Sequence, residues 1–94
     1  MKPFHRHAPG ARFLQRSGLP AQIMCYLESD PDETIDSVTE DLFNTDRPAV
    51  AGAFGSLHCR GFIRKRLGSP GHYDITKSGR VAIIRMREID RLGL

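Results

Sequence analysis

Apolar positions recur along this chain with two periods, and the changes between them divide it into elements. From about Pro20 to Ser29, Ile23, Met24 and Leu27 return at helical spacing, and Asp30-Pro31-Asp32 breaks the run. Thr34-Ile35 predicts a stub of strand. A short helix then follows from Ser37, where Ser37 with Glu40 fits a capping box and Val38 and Leu42 lie four apart. Asn44 suits a left-handed turn. A third helix is predicted to open at Asp46-Arg47-Pro48, capped by Asp46 or Thr45, with Val50, Ala53, Phe54 and Leu57 inward, and to end at Gly61. Beyond Gly61 the period changes to two. Ile63 and Lys65 alternate with Arg64 and Arg66, Gly68-Ser69-Pro70-Gly71 turns the chain, and Tyr73 and Ile75 return. Thr76 then caps a last helix to about Leu92.

Before these elements, residues 1–10 predict a flexible basic arm punctuated by Pro3, Pro9 and Gly10. Residues 11–94 predict one domain, opening with a short helix over Ala11–Arg16 that Gly18 and Pro20 stop. The predicted fold class is mainly α with a small β-hairpin (α+β). It consists of a three-helix core, a basic hairpin and a C-terminal helix.

A chain of 94 residues with 39% hydrophobic and 27% charged content fits a single soluble domain with a small core. Val81-Ala82-Ile83-Ile84 is its longest apolar run, too short to span a bilayer, and Met1–His7 precedes no signal-like stretch. Two cysteines at no short spacing fit reduced thiols, which predicts a cytoplasmic protein. The net charge of +3 conceals three blocks. Residues 1–27 carry Lys2, Arg6, Arg12 and Arg16 with no acid. Residues 28–46 carry eight acids and no base, and ten bases face three acids from residue 47 onward. Such segregation orients a protein on a polyanion, although acids also gather at helix starts for local reasons.

The string Leu57-His58-Cys59-Arg60-Gly61-Phe62-Ile63-Arg64-Lys65, followed by Tyr73-Asp74-Ile75-Thr76-Lys77-Ser78-Gly79, resembles winged helix-turn-helix regulators of the MarR and PadR type. The likeness covers about residues 20–92. It implies a winged helix-turn-helix fold and a homodimer on a partly palindromic operator. The third helix would enter the major groove, and the wing would lie on backbone or minor groove. Two features depart from those families: the wing is short, and Asn44 or Phe43 stands where a glycine is common before the third helix.

The expected DNA-binding residues fall into two groups. On the third helix they are Arg47, Pro48, Ala51, Gly52, Gly55 and Ser56, a nearly bare surface on which only Arg47 and Ser56 carry groups that reach base edges. Each of the two helical glycines costs roughly 0.8–1.0 kcal/mol relative to alanine, which points either to close approach of a partner or to simple tolerance. The second group is Arg60, Arg64, Lys65, Arg66, Ser69, His72 and Lys77, with Arg80 beside Lys77. Here cations, small polar residues and the free N–H groups of a helix start suit phosphates. A solvated basic strand edge is the plainer alternative. The arm's Lys2, Arg6 and Arg12 suit a DNA backbone or minor groove, or a loose basic tail.

Ile84, Ile89 and Leu92, with Val81 or Met86, predict a dimer face on the last helix, joined by Ala11–Arg16. Neither the histidines nor the cysteines show the paired spacing of a zinc site, and no nucleophile–base set or phosphate loop appears. The expectation is therefore a non-enzymatic protein without metal or cofactor. Cys59 beside Arg60 is either a redox-sensing thiol or an inert one. The leading function is sequence-selective or shape-selective binding of double-stranded DNA by a small dimeric transcriptional regulator. The alternative is a protein-interaction module that docks a partner on the smooth face of the third helix.

Overall fold

A computed structural model of the chain describes residues 18–42 and 44–92. Helix α1 runs Leu19–Ser29 from an extended Gly18, with Pro20 in its first turn, where a missing N–H leaves no bond unmade. Helix α2 (Ile35–Asp41) opens one cap earlier than the sequence suggests. Thr34, not Ser37, is the N-cap: Ser37 N–H donates to Thr34 Oγ1 (3.1 Å), and Thr34 N–H donates back to Ser37 Oγ (2.7 Å). This reciprocal box replaces the expected strand stub, because it satisfies two orphan amides within one turn.

Helix α3 (Arg47–Cys59) has Asp46 as its cap, whose Oδ1 accepts from Ala49 N–H at 3.1 Å, a contact of about 1 kcal/mol. Asn44, which precedes it and is expected as a left-handed turn residue, follows Phe43, which lies outside the described residues and on whose carbonyl carbon the φ of Asn44 depends. At its C-terminus Gly61 (φ 77°) lets Gly61 N–H reach His58 O and Phe62 N–H reach Leu57 O, both at 3.0 Å. Those two bonds form a Schellman stop, and it sends the chain directly into the hairpin.

Strands β1 (Ile63–Lys65) and β2 (Tyr73–Ile75) pair antiparallel, with Ile63 opposite Ile75, Arg64 opposite Asp74 and Lys65 opposite Tyr73. Helix α4 (Lys77–Leu92) follows at once. The described chain is thus four helices and one two-stranded antiparallel sheet, a mainly helical α+β fold.

The core lies where α1 and α2 pack on α3 and the hairpin closes one end. Ile23, Met24 and Leu27 of α1, Val38 of α2, and Val50, Ala53, Phe54 and Leu57 of α3 are buried with Ile63, Ala82, Ile83 and Met86. Full burial of each larger side chain contributes on the order of 1.5–3 kcal/mol. Leu42, expected to face the core, packs against it half-buried.

One point fixes the root of the hairpin. Thr76 N–H donates to Phe62 O (3.0 Å) and Thr76 Oγ1 donates to Gly61 O (2.5 Å) while accepting from Gly79 N–H (3.1 Å). A Cβ on Gly79 would lie 2.2 Å from Phe62 O, so only glycine lets α4 approach this closely. The Thr76-x-x-Gly79 string is therefore a joint between the end of α3, the hairpin and the start of α4.

The last helix departs from expectation in two ways. Met86 is buried and so is not left over for a partner, and Ile89 packs half-buried against the core, which leaves only part of it on the surface. Val81, Ile84 and Leu92 remain exposed, at 42%, 57% and 64%. Phe43, the arm and Ala11–Arg16 lie outside the described residues. No helix among the described residues is long and apolar enough to cross a membrane.

Candidate nucleic-acid interface

The outward side of α3 is as bare as the sequence suggests. Pro48, Gly52, Gly55 and Ser56 are exposed and Ala51 is half-buried. Among the described residues, nothing lies within 4 Å of the place where a Cβ on Gly52 or Gly55 would stand. The helix needs neither glycine for its own packing. The free side of α3 is therefore a smooth ridge that a flat or grooved partner can approach to backbone distance.

Arg47, at the head of this ridge, does not point freely outward. Its Nε donates to Asp36 Oδ1 of α2 at 2.6 Å, in a pair whose side chains remain 60% and 69% exposed. Surface pairs of this kind contribute about 0.2–1 kcal/mol, so Arg47 can exchange Asp36 for another acceptor at small cost.

The hairpin stands beside α3 because Tyr73 is seated on it. The Tyr73 ring meets Phe54 at a centroid distance of 5.3 Å and His58 at 6.2 Å, both inclined rather than stacked. With the Thr76 joint at its base, the hairpin is fixed in its angle to α3. Arg64 and Lys65 are exposed on β1, Arg60 is exposed at the end of α3, and Lys77 and Arg80 are exposed at the start of α4. Ser69 and His72 are half-buried in the turn, where His72 Nδ1 lies 3.3 Å from Pro70 O.

Arg66 corrects the sequence reading. It does not alternate outward with Arg64; it is turned onto the protein. Its Nε donates to Asp74 Oδ1 (3.0 Å), Nη1 to Asp32 Oδ1 (3.1 Å) and Nη2 to Pro31 O (2.8 Å). The hydrogen bonds to Asp32 and Asp74 raise its pKa further above the ordinary arginine value. A planar guanidinium with three partners is a brace between the hairpin and the loop after α1. The helix start at Thr76 is also less open than expected, because Gly79 N–H is satisfied by Thr76 Oγ1.

A shallow hollow of about 340 Å³ lies behind the hairpin, lined by Glu28, Pro31, Arg64, Asp74 and Arg80 among others. Arg87 closes α4 onto α1 with a two-pronged pair to Glu28, Nη2–Oε1 at 2.5 Å and Nη1–Oε2 at 3.1 Å. Cys25 and Cys59 are exposed free thiols, and the described residues contain no group of three or more His, Cys, Asp or Glu side chains placed to hold a metal.

Sequence reasoning passed over one residue of this surface. Leu67, between the basic strand and the Gly68–Gly71 turn, is 97% exposed. Its signal was present: a large apolar side chain where turn chemistry calls for polar ones. Comparison with known protein families, curated proteins and solved structures finds no match.

Proposed function

We propose that this chain is a winged helix-turn-helix protein that binds double-stranded DNA, in the manner its likeness to MarR and PadR regulators implies. In this reading α3 is the helix laid in the major groove, and the β1–β2 hairpin is the wing. The observation that carries it is the juxtaposition of two surfaces. A smooth, open face of α3 stands beside a hairpin whose exposed cations, Arg64 and Lys65, are held at a fixed angle by Tyr73 and Thr76. Lys77 and Arg60 extend the basic margin, and Ser56 and Arg47 supply the groups able to reach base edges. Because α3 offers so few such groups, recognition rests more on the shape of the groove than on base readout.

The protein acts, in this reading, as a small homodimeric transcriptional regulator in the cytoplasm, without catalysis or cofactor. Val81, Ile84 and Leu92 are the exposed apolar residues of α4 available to the dimer. Titration of duplex DNA at several salt concentrations, with light scattering of the same preparation, tests the whole. Binding should weaken steeply with salt, and Arg64→Ala should reduce the log K against log salt slope by about one while acting alike on all duplexes. Salt-indifferent binding, or none, would overturn the reading; a monomer at high micromolar concentration would remove the dimer.

The same bare face of α3 favours a second reading, a module that docks a partner protein there. It predicts indifference to Arg64→Ala and loss of the partner on enlarging Gly55.

A further inference from the structure

We propose that Leu67 is a wedge: on DNA it enters the minor groove, opens a base step and bends the duplex. This rests on the DNA-binding reading above and adds a deformation that the reading does not require.

Leu67 is the most exposed large apolar side chain among the described residues, at 97%. The other three lie together on α4, whereas Leu67 stands by itself at the hairpin tip. It is almost wholly uncovered by the described residues. Gly68, Ser69 and Gly71 at the tip add little apolar surface, and with Pro70 and Tyr73 in the same hollow the patch stays smaller than the broad one that a protein partner needs. That narrowness suits a minor groove, which is about 6 Å wide. Pro70, exposed beside it, is another side chain of the kind that wedges between base steps.

A wedge must also be rigid, or it folds aside instead of unstacking bases. The tip is tied across by Arg66 N–H to His72 O (3.0 Å), Ser69 N–H to Arg66 O (3.4 Å) and His72 N–H to Ser69 O (3.1 Å). The residue immediately before Leu67 is the braced Arg66, whose guanidinium binds Asp32, Asp74 and Pro31 O. The brace turns an otherwise short hairpin into a stiff support for one apolar side chain.

Charge identifies the partner. Residues 65–73 contain no acid, exposed Arg64 and Lys65 stand below the tip, and the two acids that reach it, Asp74 and Asp32, are both engaged by Arg66. An apolar point at the end of a strand with two exposed cations, Arg64 and Lys65, fits a polyanion with an apolar interior reached through a narrow opening. Stacked bases between phosphate backbones have that character.

The test uses the full chain and a short duplex with a flexible central TA step, end-labelled for energy transfer and carrying 2-aminopurine at that step. Wild-type protein should shorten the end-to-end distance and brighten the 2-aminopurine. Leu67→Ala should abolish both signals, weaken binding by about tenfold or less, and leave the salt slope unchanged because no phosphate contact is lost. Leu67→Phe should restore the bend. The exposed position makes either change harmless to folding, which a melting curve checks. Wild-type binding without bending, or bending that survives Leu67→Ala, overturns the wedge and leaves the DNA-binding reading standing. Absence of salt-dependent binding to any duplex overturns both. Leu67-dependent binding to phosphatidylserine vesicles, with a straight duplex, would show that the tip serves a membrane and overturn the wedge.

Discussion

The free face of α3 and the hairpin beside it are neighbours built on opposite plans. The helix face is made by omission: Gly52 and Gly55 present backbone to open space, and its one cation, Arg47, is paired with Asp36. The hairpin is made by addition: two exposed cations, a braced third, and a leucine at the tip. A surface without side chains contributes close approach and few specific bonds, whereas a charged, rigid arm contributes attraction with little sequence information. In the proposed complex each supplies what the other lacks.

The contrast is sharpest between glycines that look alike in the sequence. Gly79 closes the joint under the hairpin, and Gly79→Ala sets a Cβ against the Phe62 carbonyl at 2.2 Å. The backbone must shift, and urea or thermal unfolding should show a loss of about 3 kcal/mol. The same substitution at Gly55 meets nothing within 4 Å among the described residues and should raise stability by about 0.4–1 kcal/mol through the unfolded chain. Equal effects at the two positions would break the comparison.

A smaller change in stability, but a large one in binding, is expected of Gly55→Gln. The long side chain has room in the free protein, so the melting temperature should hardly move, while groove entry is blocked. Duplex affinity should fall by more than about tenfold, or more than 1.4 kcal/mol. If only a protein partner is lost, α3 belongs to the second reading. Unchanged binding of both kinds would mean that the smooth face has no partner.

The smallest and most discriminating effect separates Arg66 from Arg64. Arg64→Ala should lower the salt slope by about one, the signature of a phosphate contact. Arg66→Ala should leave that slope nearly intact, because its guanidinium is already occupied by Asp32 and Asp74. It should instead speed amide hydrogen exchange across the tip, at Ser69 and His72, as the hairpin loosens. A full unit lost from the slope in Arg66→Ala would return Arg66 to the interface.

Much of this architecture was legible in the residues. The inward stripes of α1 and α3, the Asp46 cap, the Gly61 stop and the existence of the hairpin, though not the alternation of its side chains, follow from rules that act within about four residues along the chain. The displaced start of α2 is an error of the same local kind, since Thr34 and Ser37 compete as caps and the reciprocal bond decides. The bareness of the α3 face was also readable, because it depends only on which residues share one side of a helix.

What the sequence determined by itself was therefore the helices α1, α3 and α4, the hairpin between α3 and α4, and the inward stripes of α1 and α3. What only the tertiary structure decided was the use of the charged and apolar residues left over. Arg66 and Asp32 stand 34 residues apart, and no local pattern says that they will meet. The pairing of Arg47 with Asp36, the burial of Met86, the partial cover over Ile89 and the contact that makes Gly79 obligatory arise in the same way. A side chain's periodicity sets its direction from its own backbone, but its partner is set by how separate elements pack, and that is a property of the whole fold.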